Sequence, residues 1–280
     1  MSKYTDYDSV SVNYDKTRKA VGIEIVLGFL ASLPQPAQGL RVLDAGCGTG
    51  NYATLIQRWF PRVVCLDFSL GMLKKAKDKF EALRSQEGAF VQADMTHLPF
   101  AAGVFDAVVC NQSLHHIDEP GTDFKNQRSF FKHANRTLKP GGAVIINTIT
   151  HEQLRDGVWW GDLIKPAVER MTGRFTSNEK LDEILRAAGF EITDQIVPVS
   201  TIIQQVGYFD EDALHRKEFR DGDSHFSLLT APELQDTLER IDRMRADGQL
   251  GAYIAQRDRL RQRIGQFAYF VARKTREISS

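Results

Sequence analysis

Short apolar runs alternate with longer amphipathic stretches along the chain, beginning near Leu40. The apolar runs are almost continuous, which is typical of strands that are buried on both faces of a parallel sheet. In the first half of the chain these runs cover residues 42–44, 63–66, 90–91, 107–110 and 143–146. The stretches between them predict helices over residues 52–60, 69–83 and 123–138. Strands and helices that alternate at this spacing predict βαβ units and a doubly wound α/β sheet.

The alternation resumes near residue 176 and brings the number of predicted strands to seven. A helix over residues 176–188 is ended by Gly189, and strands follow over residues 190–197 and 266–272. Two segments do not fit this scheme. They are residues 151–175 and the predominantly helical residues 201–264, which carry mixed charge.

We therefore predict three parts of the chain. Residues 1–39 form an N-terminal helical cap, residues 40–200 with 265–280 form the sheet core, and residues 201–264 form a helical lid inserted before the last strand. The mixed charge of the insertion is also typical of a solvated helical cap held by i,i+4 ion pairs. The two interpretations are compatible, because one helix face can be solvated while the other covers a pocket.

The charge of the chain argues against two classes of partner. Its 280 residues include 36 Lys and Arg and 36 Asp and Glu, so the formal net charge is zero. Nucleic acid and anionic membrane surfaces usually require net positive charge in the protein that binds them. We therefore expect no nucleic-acid partner, although a local basic patch is compatible with this balance.

Cysteine usage and the N-terminal sequence indicate a cytoplasmic protein. The three cysteines, Cys47, Cys65 and Cys110, are widely separated and form no C-x-x-C pair, so we expect a reducing compartment and neither a disulfide scaffold nor a thiolate zinc site. The apolar stretch over residues 21–33 is interrupted by Glu24. It is too short to span a bilayer and too interrupted for a secretory signal.

A glycine-rich loop follows the first predicted strand and leads into a helix. It contains Asp44, Gly46, Cys47, Gly48 and Gly50 in the order D-A-G-C-G-T-G. Glycine is needed where the backbone turns sharply and where a ligand approaches the main chain closely. The spacing G-x-G-x-G differs from the dinucleotide fingerprint G-x-G-x-x-G, and no G-K-[ST] of a P-loop is present.

This loop resembles motif I of the class I S-adenosylmethionine-dependent methyltransferases, which typically reads (V/L)LD-x-GCGTG. Four further motifs extend the resemblance through the core: Asp67 at the end of the second strand, residues 92–106, residues 111–117 and residues 138–142. The resemblance implies a Rossmann-like fold, S-adenosyl-L-methionine as the cofactor, and cofactor binding by the glycine loop. The resemblance does not extend to residues 201–264.

Five residues after the second and third strands are expected to hold the nucleoside part of the cofactor. Asp67 would accept hydrogen bonds from the ribose hydroxyls, Phe68 and Met72 would sandwich the adenine, and Asp94 would accept a hydrogen bond from its amino group. Met95 would supply backbone contacts. Structural alternatives remain, because Asp67 can cap a helix, Met72 can fill the core and Asp94 can cap the following turn.

The loop after the fourth strand contains the expected catalytic base. In the family, this loop, which here includes Asn111 and Gln112, lies beside the methionine part of the cofactor and the methyl group. His115 and His116 follow, and histidine titrates in the working range of a general base. We expect the two rings to point in different directions and favour His115, the alternative being that both histidines orient the loop. No metal ligand set accompanies them.

The N-terminal sequence also resembles a family feature, Y-D-x-x-R ahead of an amphipathic helix. Tyr14 would shield the methyl site, and Arg18 would meet the carboxylate of the cofactor. The alternative is an exposed helix start.

The expected reaction is in-line transfer of a methyl group to a small molecule that the lid encloses. The chain lacks the D/N-P-P-[YF] sequence of nucleic-acid amine methyltransferases and has no Pro-Cys dipeptide for cytosine methylation. Aromatic residues that could line the acceptor pocket, or simply fill a core, are Trp159, Trp160, Tyr208 and Phe209. The acceptor atom and the oligomeric state stay open.

Two other functions remain possible from the sequence. A nicotinamide-dependent oxidoreductase shares the doubly wound fold and the acidic residue at the end of the second strand. A non-catalytic S-adenosylmethionine-binding protein would keep the glycine loop and Asp67 without needing a closed acceptor pocket.

Overall fold

A computed structural model of the chain describes residues 19–83 and 88–275. The contacts within it divide the chain into two units. Of the described residues, the sheet unit comprises 19–83, 88–148, 178–196 and 269–275, and the helical unit comprises Ile149–Ser177 and Val197–Ala268.

The sheet unit is built on seven strands, as the sequence predicts. In chain order the strands are β1 Arg41–Ala45, β2 Arg62–Asp67, β3 Ala89–Gln92, β4 Phe105–Asn111, β5 Leu138–Thr148, β6 Phe190–Ile196 and β7 Ala268–Lys274. Their order across the sheet is β3-β2-β1-β4-β5-β7-β6. The first five strands pair in parallel and β6 pairs antiparallel with β7. The prediction of a doubly wound, mostly parallel α/β fold is confirmed.

Helices flank this sheet close to their predicted positions. They are α1 Ile23–Ala31, α2 Asn51–Gln57, α3 Leu70–Ala82, α4 Lys125–Thr137 and α7 Asn178–Ala187. Helix α3 begins where Ser69 accepts a hydrogen bond from the Met72 amide through its side chain, as an N-cap residue does. Helix α4 begins two residues later than predicted, because Asp123 and Phe124 adopt left-handed backbone conformations.

The carboxyl ends of four adjacent strands lie along one edge of the sheet. All seven residues of β4 are buried, and four of the five residues of β1 are buried with them. The parallel register pairs Asp44 with Val109 and Asn111 with Asn147. Polar residues that end β1, β2, β4 and β5 are therefore collected at this edge, where open α/β sheets bind their ligands.

The helical unit has its own aromatic core. The helices of this unit are α5 His151–Asp156, α6 Lys165–Thr172, α8 Lys217–Asp221, α9 Ala231–Ala246 and α10 Leu250–Ile264. Trp159, Trp160 and Tyr208 are fully buried in it, and the Trp159 indole N–H donates to the backbone oxygen of Tyr208 at 2.7 Å. Phe209 is 51% exposed and lines a cavity of about 440 Å³ within this unit.

The helical unit is larger than the predicted insertion over residues 201–264. Residues 149–177, which the sequence placed in the range of the sheet core, cluster with residues 197–268. The physical reason is the burial of Trp160, whose ring contacts the rings of Tyr208, Phe219 and Phe226. A role of this unit as a lid stays a prediction.

Two further properties follow from the described part of the chain. Cys47, Cys65 and Cys110 are free and buried. Across residues 19–83 and 88–275, every helix is too short or too polar to cross a membrane.

We predict that Asp118→Asn destabilises the sheet unit, because Asp118 ties down the start of α4. This carboxylate is 1% exposed and accepts hydrogen bonds from the amides of Asn126 and Gln127 and from the Thr122 hydroxyl. A side-chain amide would place a donor against one of these donors, at a cost of about 2 kcal/mol in the free energy of unfolding. Chemical denaturation measures the change.

Asp123→Asn is the matched control for this variant. Asp123 lies in the same loop, but its side chain is 73% exposed and forms surface ion pairs with Arg128 and Lys180. Such pairs contribute little, so we expect a nearly unchanged denaturation midpoint. Equal losses in both variants would show that Asp118 does not anchor the helix.

Candidate functional site

The glycine loop between β1 and α2 closes against the neighbouring strand. The amides of Gly46 and Cys47 both donate to the backbone oxygen of Leu66, at 2.8 and 3.0 Å. Gly46 has φ +74°, and a Cβ atom there would lie 2.6 Å from the Cβ of Ser113. Gly50 has φ +77° and would meet the Cβ of Ala76 at 2.9 Å. Glycine is thus required at both positions by backbone conformation and by packing.

Asp67 links this loop to the end of β2. Its Oδ2 accepts the Gly48 amide at 2.8 Å and its Oδ1 accepts the Ser69 amide at 2.9 Å. Burial raises the pKa of Asp67, and the amides of Ser69, Gly48 and Phe68 oppose this. The helix cap itself is Ser69, so Asp67 orders the loop and does not cap α3. Each carboxylate oxygen has a second lone pair with which it can accept a ligand hydroxyl.

Asp44 and Asn111 are buried polar residues at the ends of adjacent strands. Asp44 is 1% and Asn111 is 8% exposed. Neither carboxylate oxygen of Asp44, and neither amide atom of Asn111, forms a hydrogen bond of normal geometry with a described residue. Buried polar side chains are normally hydrogen-bonded in folded proteins, so these four atoms are candidates to bind a ligand.

The environment of Asp44 favours its neutral form. Burial, followed by the negative charge of Asp67, raises the pKa of Asp44 to about 7 from an ordinary 3.8. The backbone amide of Ala53 opposes this rise without meeting hydrogen-bond geometry to either oxygen. A cationic ligand group at this place would restore the ionised carboxylate.

Cys47 contributes a neutral thiol to the loop. A hydrogen bond with Cys65, burial and the nearby carboxylates all raise the pKa of Cys47. Its backbone amide is already used by Leu66. The thiol and the amide of Cys47, one of the glycine-loop residues predicted to bind a cofactor, therefore both form hydrogen bonds within the protein.

The residues predicted to hold adenine differ in exposure. Phe68 is 54% exposed, whereas Met72 is 2% and Met95 is 6% exposed. Asp94 is exposed, and its Oδ1 accepts the Thr96 amide at 2.8 Å as the cap of a 3-10 turn. Met72 therefore fills the core and Asp94 caps the following turn, as their structural alternatives expected. Contacts of these two residues with adenine stay predictions.

The loop after β4 has an unusual backbone. Gln112 has φ +50°, in the left-handed region that costs non-glycine residues free energy. Its amide and its side-chain Nε2 donate to the backbone oxygen and the Oδ1 of Asn147, at 2.9 and 2.7 Å. Ser113 Oγ donates to the backbone oxygen of Ala45 at 3.0 Å. The loop is therefore fixed to both neighbouring strands.

His115 and His116 lie in a 3-10 turn over Leu114–His116. His115 is 8% exposed and His116 is partly exposed. The expectation that their rings point in different directions is wrong, because the ring centroids are 3.9 Å apart. The two rings are in contact with their planes tilted by 43°, although successive residues in such a turn are separated by about 120° around its axis.

The predicted site residues and the residues found at the site differ in two ways. Tyr14 and Arg18 lie outside the described residues. Asn147, Tyr52 and Ser113 lie at this edge of the sheet and were not predicted as site residues from the sequence. A polar residue directly after the apolar run over 143–146 was the available signal for Asn147.

Within residues 19–83 and 88–275, no three His, Cys, Asp or Glu side chains come together as a metal site would require.

Comparison with known proteins assigns the class of this domain. Residues 43–146 match the family model described as a methyltransferase domain. Over 152 residues the chain is 32% identical to the demethylmenaquinone methyltransferase of Renibacterium salmoninarum, covering 52% of this chain and 57% of the relative. The chain spans about half the length of the curated relatives it matches.

Solved structures share the fold at lower identity. A candidate methyltransferase of an antibiotic biosynthesis pathway from Anabaena variabilis matches with a TM-score of 0.67 and 17% identity, over 90% of this chain and 96% of that one. Geranyl diphosphate C-methyltransferase from Streptomyces coelicolor, solved with S-adenosyl-L-homocysteine, matches with a TM-score of 0.52 and 17% identity, over 90% and 76%.

The sheet order, the glycine loop and the carboxylate at the end of β2 are those of a Rossmann-like domain. Residues 43–146 of this chain match a methyltransferase domain, and about half of the chain is similar in sequence to the demethylmenaquinone methyltransferase named above.

We predict that Asp44→Asn removes part of the pH dependence of stability. A carboxyl whose pKa is raised in the folded state binds more protons there than in the unfolded chain between pH 4 and 7. The free energy of unfolding therefore falls as the pH rises through this window. The raised pKa of Asp44 corresponds to a loss of roughly 2 to 4 kcal/mol, which the amide variant lacks.

Denaturant titrations at several pH values between 4 and 8 measure this difference. The variant of the exposed Asp78, Asp78→Asn, controls for the change in net charge. Parallel stability curves for the wild type and Asp44→Asn would contradict the assignment of a raised pKa to Asp44.

Proposed function

We propose that the protein transfers the methyl group of S-adenosyl-L-methionine to a small-molecule acceptor. The observation that carries this proposal is the pair of buried, unpartnered side chains Asp44 and Asn111 beside the glycine loop. The cofactor bears an ammonium and a sulfonium group, so it supplies the positive charge that a buried carboxylate needs. A nicotinamide cofactor brings two phosphates instead, and the glycine spacing also speaks against it.

The proposed cofactor contacts follow from the strand ends. Asp67, oriented by the Gly48 and Ser69 amides, accepts the ribose hydroxyls with its remaining lone pairs. Phe68 offers an exposed ring to the adenine. Asp94 retains its second oxygen for the adenine amino group, while Met95 and Met72 shape the wall of the site.

The reaction requires alignment and exclusion of water more than protein nucleophiles. When bound, the cofactor supplies an activated methyl group. An electron pair of the acceptor forms the new bond to the methyl carbon as the carbon–sulfur bond breaks and its pair stays on sulfur. Where the acceptor loses a proton, His115 is the residue we propose to receive it. Tyr14 and Arg18, which lie outside the described residues, are proposed to complete the site.

We propose that residues of the helical unit select the acceptor. The relatives named above act on demethylmenaquinone and geranyl diphosphate, and we extend to this chain only their chemical class of small molecules. Zero net charge supports this class over nucleic acid. The non-catalytic alternative would bind the cofactor without transferring its methyl group.

The cofactor assignment predicts that the protein binds S-adenosylhomocysteine and not NAD in isothermal titration calorimetry. Asp67→Asn should weaken that binding by about tenfold or more, because an amide replaces one acceptor that a hydroxyl needs. Asp78→Asn, on the exposed face of α3, is the control and should bind like the wild type. Binding of NAD alone would overturn the proposal.

The proposal for His115 predicts that His115→Gln keeps cofactor affinity but slows methyl transfer by roughly 10² to 10⁴-fold with an acceptor that loses a proton. The acceptor is found by mass-spectrometric screening of metabolite pools with deuteromethyl-labelled cofactor. His116→Gln is the neighbouring control. Unchanged turnover in His115→Gln would remove His115 as the base.

A further inference from the structure

Asn147 is the penultimate residue of β5, lies beside the proposed cofactor site and is completely buried. Its Oδ1 accepts the side-chain amide of Gln112 at 2.7 Å, and its Nδ2 donates to the Tyr52 hydroxyl at 3.4 Å. The Tyr52 hydroxyl donates in turn to the backbone oxygen of Val21 at 2.9 Å. In this series of hydrogen bonds the Asn147 Oδ1 accepts and its Nδ2 donates, which fixes the orientation of the Asn147 amide.

A second tyrosine reinforces the same point. Tyr269, at the start of β7, also donates its hydroxyl to the Val21 oxygen, at 3.0 Å. Burial, followed by the neighbouring Tyr52 hydroxyl, raises the pKa of Tyr269, so this hydroxyl remains a donor. The segment before α1, the helix after the glycine loop and the last strand are joined at one polar cluster inside the sheet unit.

One end of the cluster lies in the loop after β4 and the other in the first turn of α2, directly after the glycine loop; we propose that these two loops hold the cofactor. Tyr52 lies two residues after Gly50 of the glycine loop. Gln112 lies between Asn111, whose amide is unpartnered, and Ser113, which bonds to Ala45. Gln112 adopts a left-handed conformation that needs outside support. That support includes both hydrogen bonds to Asn147.

We infer that Asn147 is a positioning residue, which holds Gln112 in its left-handed conformation and ties the β4 loop to Tyr52 so that both loops are set for the cofactor. The inference rests on the proposed function. Asn147 acts through Gln112 and Tyr52 and is not assigned a contact with the cofactor.

The test measures S-adenosylhomocysteine affinity of the full chain by calorimetry. Asn147→Leu keeps the size of the side chain and removes its two side-chain hydrogen bonds, to Gln112 and to Tyr52, and it should weaken binding by about tenfold. Tyr52→Phe is the milder variant and should weaken it by about threefold. The control, Asn135→Leu, alters another buried asparagine of the sheet unit, one that donates to Gly189. It should lower the melting temperature and bind within about twofold of the wild type.

A double-mutant cycle separates positioning from general stability. Glycine adopts the left-handed conformation without support, so in a Gln112→Gly background Asn147→Leu should weaken binding by less than about threefold. A loss as large as in the parent would overturn the inference, as would unchanged binding by a folded Asn147→Leu. If Asn147→Leu does not fold, the same double-mutant cycle is carried out with Tyr52→Phe in its place. The loss of binding caused by Tyr52→Phe should then be smaller in the Gln112→Gly background than in the parent. Failure of the wild type to bind would overturn the proposed function and the inference together.

Discussion

The carboxylate of Asp67 is the interaction on which the proposed site depends. It accepts the Gly48 amide from the glycine loop and the Ser69 amide at the start of α3, so one side chain joins β1, β2 and the helix between β2 and β3. These two donors stabilise its charge against burial, which would otherwise favour the neutral acid. The same charge contributes to the raised pKa of Asp44 on the adjacent strand. Two carboxyl groups at neighbouring strand ends thus favour the binding of a ligand that brings hydroxyl donors and positive charge.

The sequence was sufficient to predict the sheet and most of this edge. Continuous apolar runs mark strands that are buried on both faces, and Ser69 marks the start of a helix, because both signals are local. The position of Asp67 could be predicted for the same reason. The atoms that the Asp67 carboxylate contacts could not be predicted, because they depend on how the glycine loop folds back on β2.

Features that depend on distant parts of the chain were missed. Residues 149–177 join the helical unit because Trp160 packs against rings that lie more than 40 residues further along the chain. The contact between the His115 and His116 rings is decided by packing. Asn147 forms its bonds with Gln112 and Tyr52, 35 and 95 residues away in sequence, and no local pattern reports such partners.

Hydrogen–deuterium exchange with and without S-adenosylhomocysteine tests the central claim most directly. If the strand ends hold the cofactor, its product should slow amide exchange in residues 44–50, 67–72 and 111–116. Exchange in β6, residues 190–196, should stay unchanged, because that strand lies at the far edge of the sheet. Unchanged exchange in all three segments, or protection confined to the helical unit, would contradict the account.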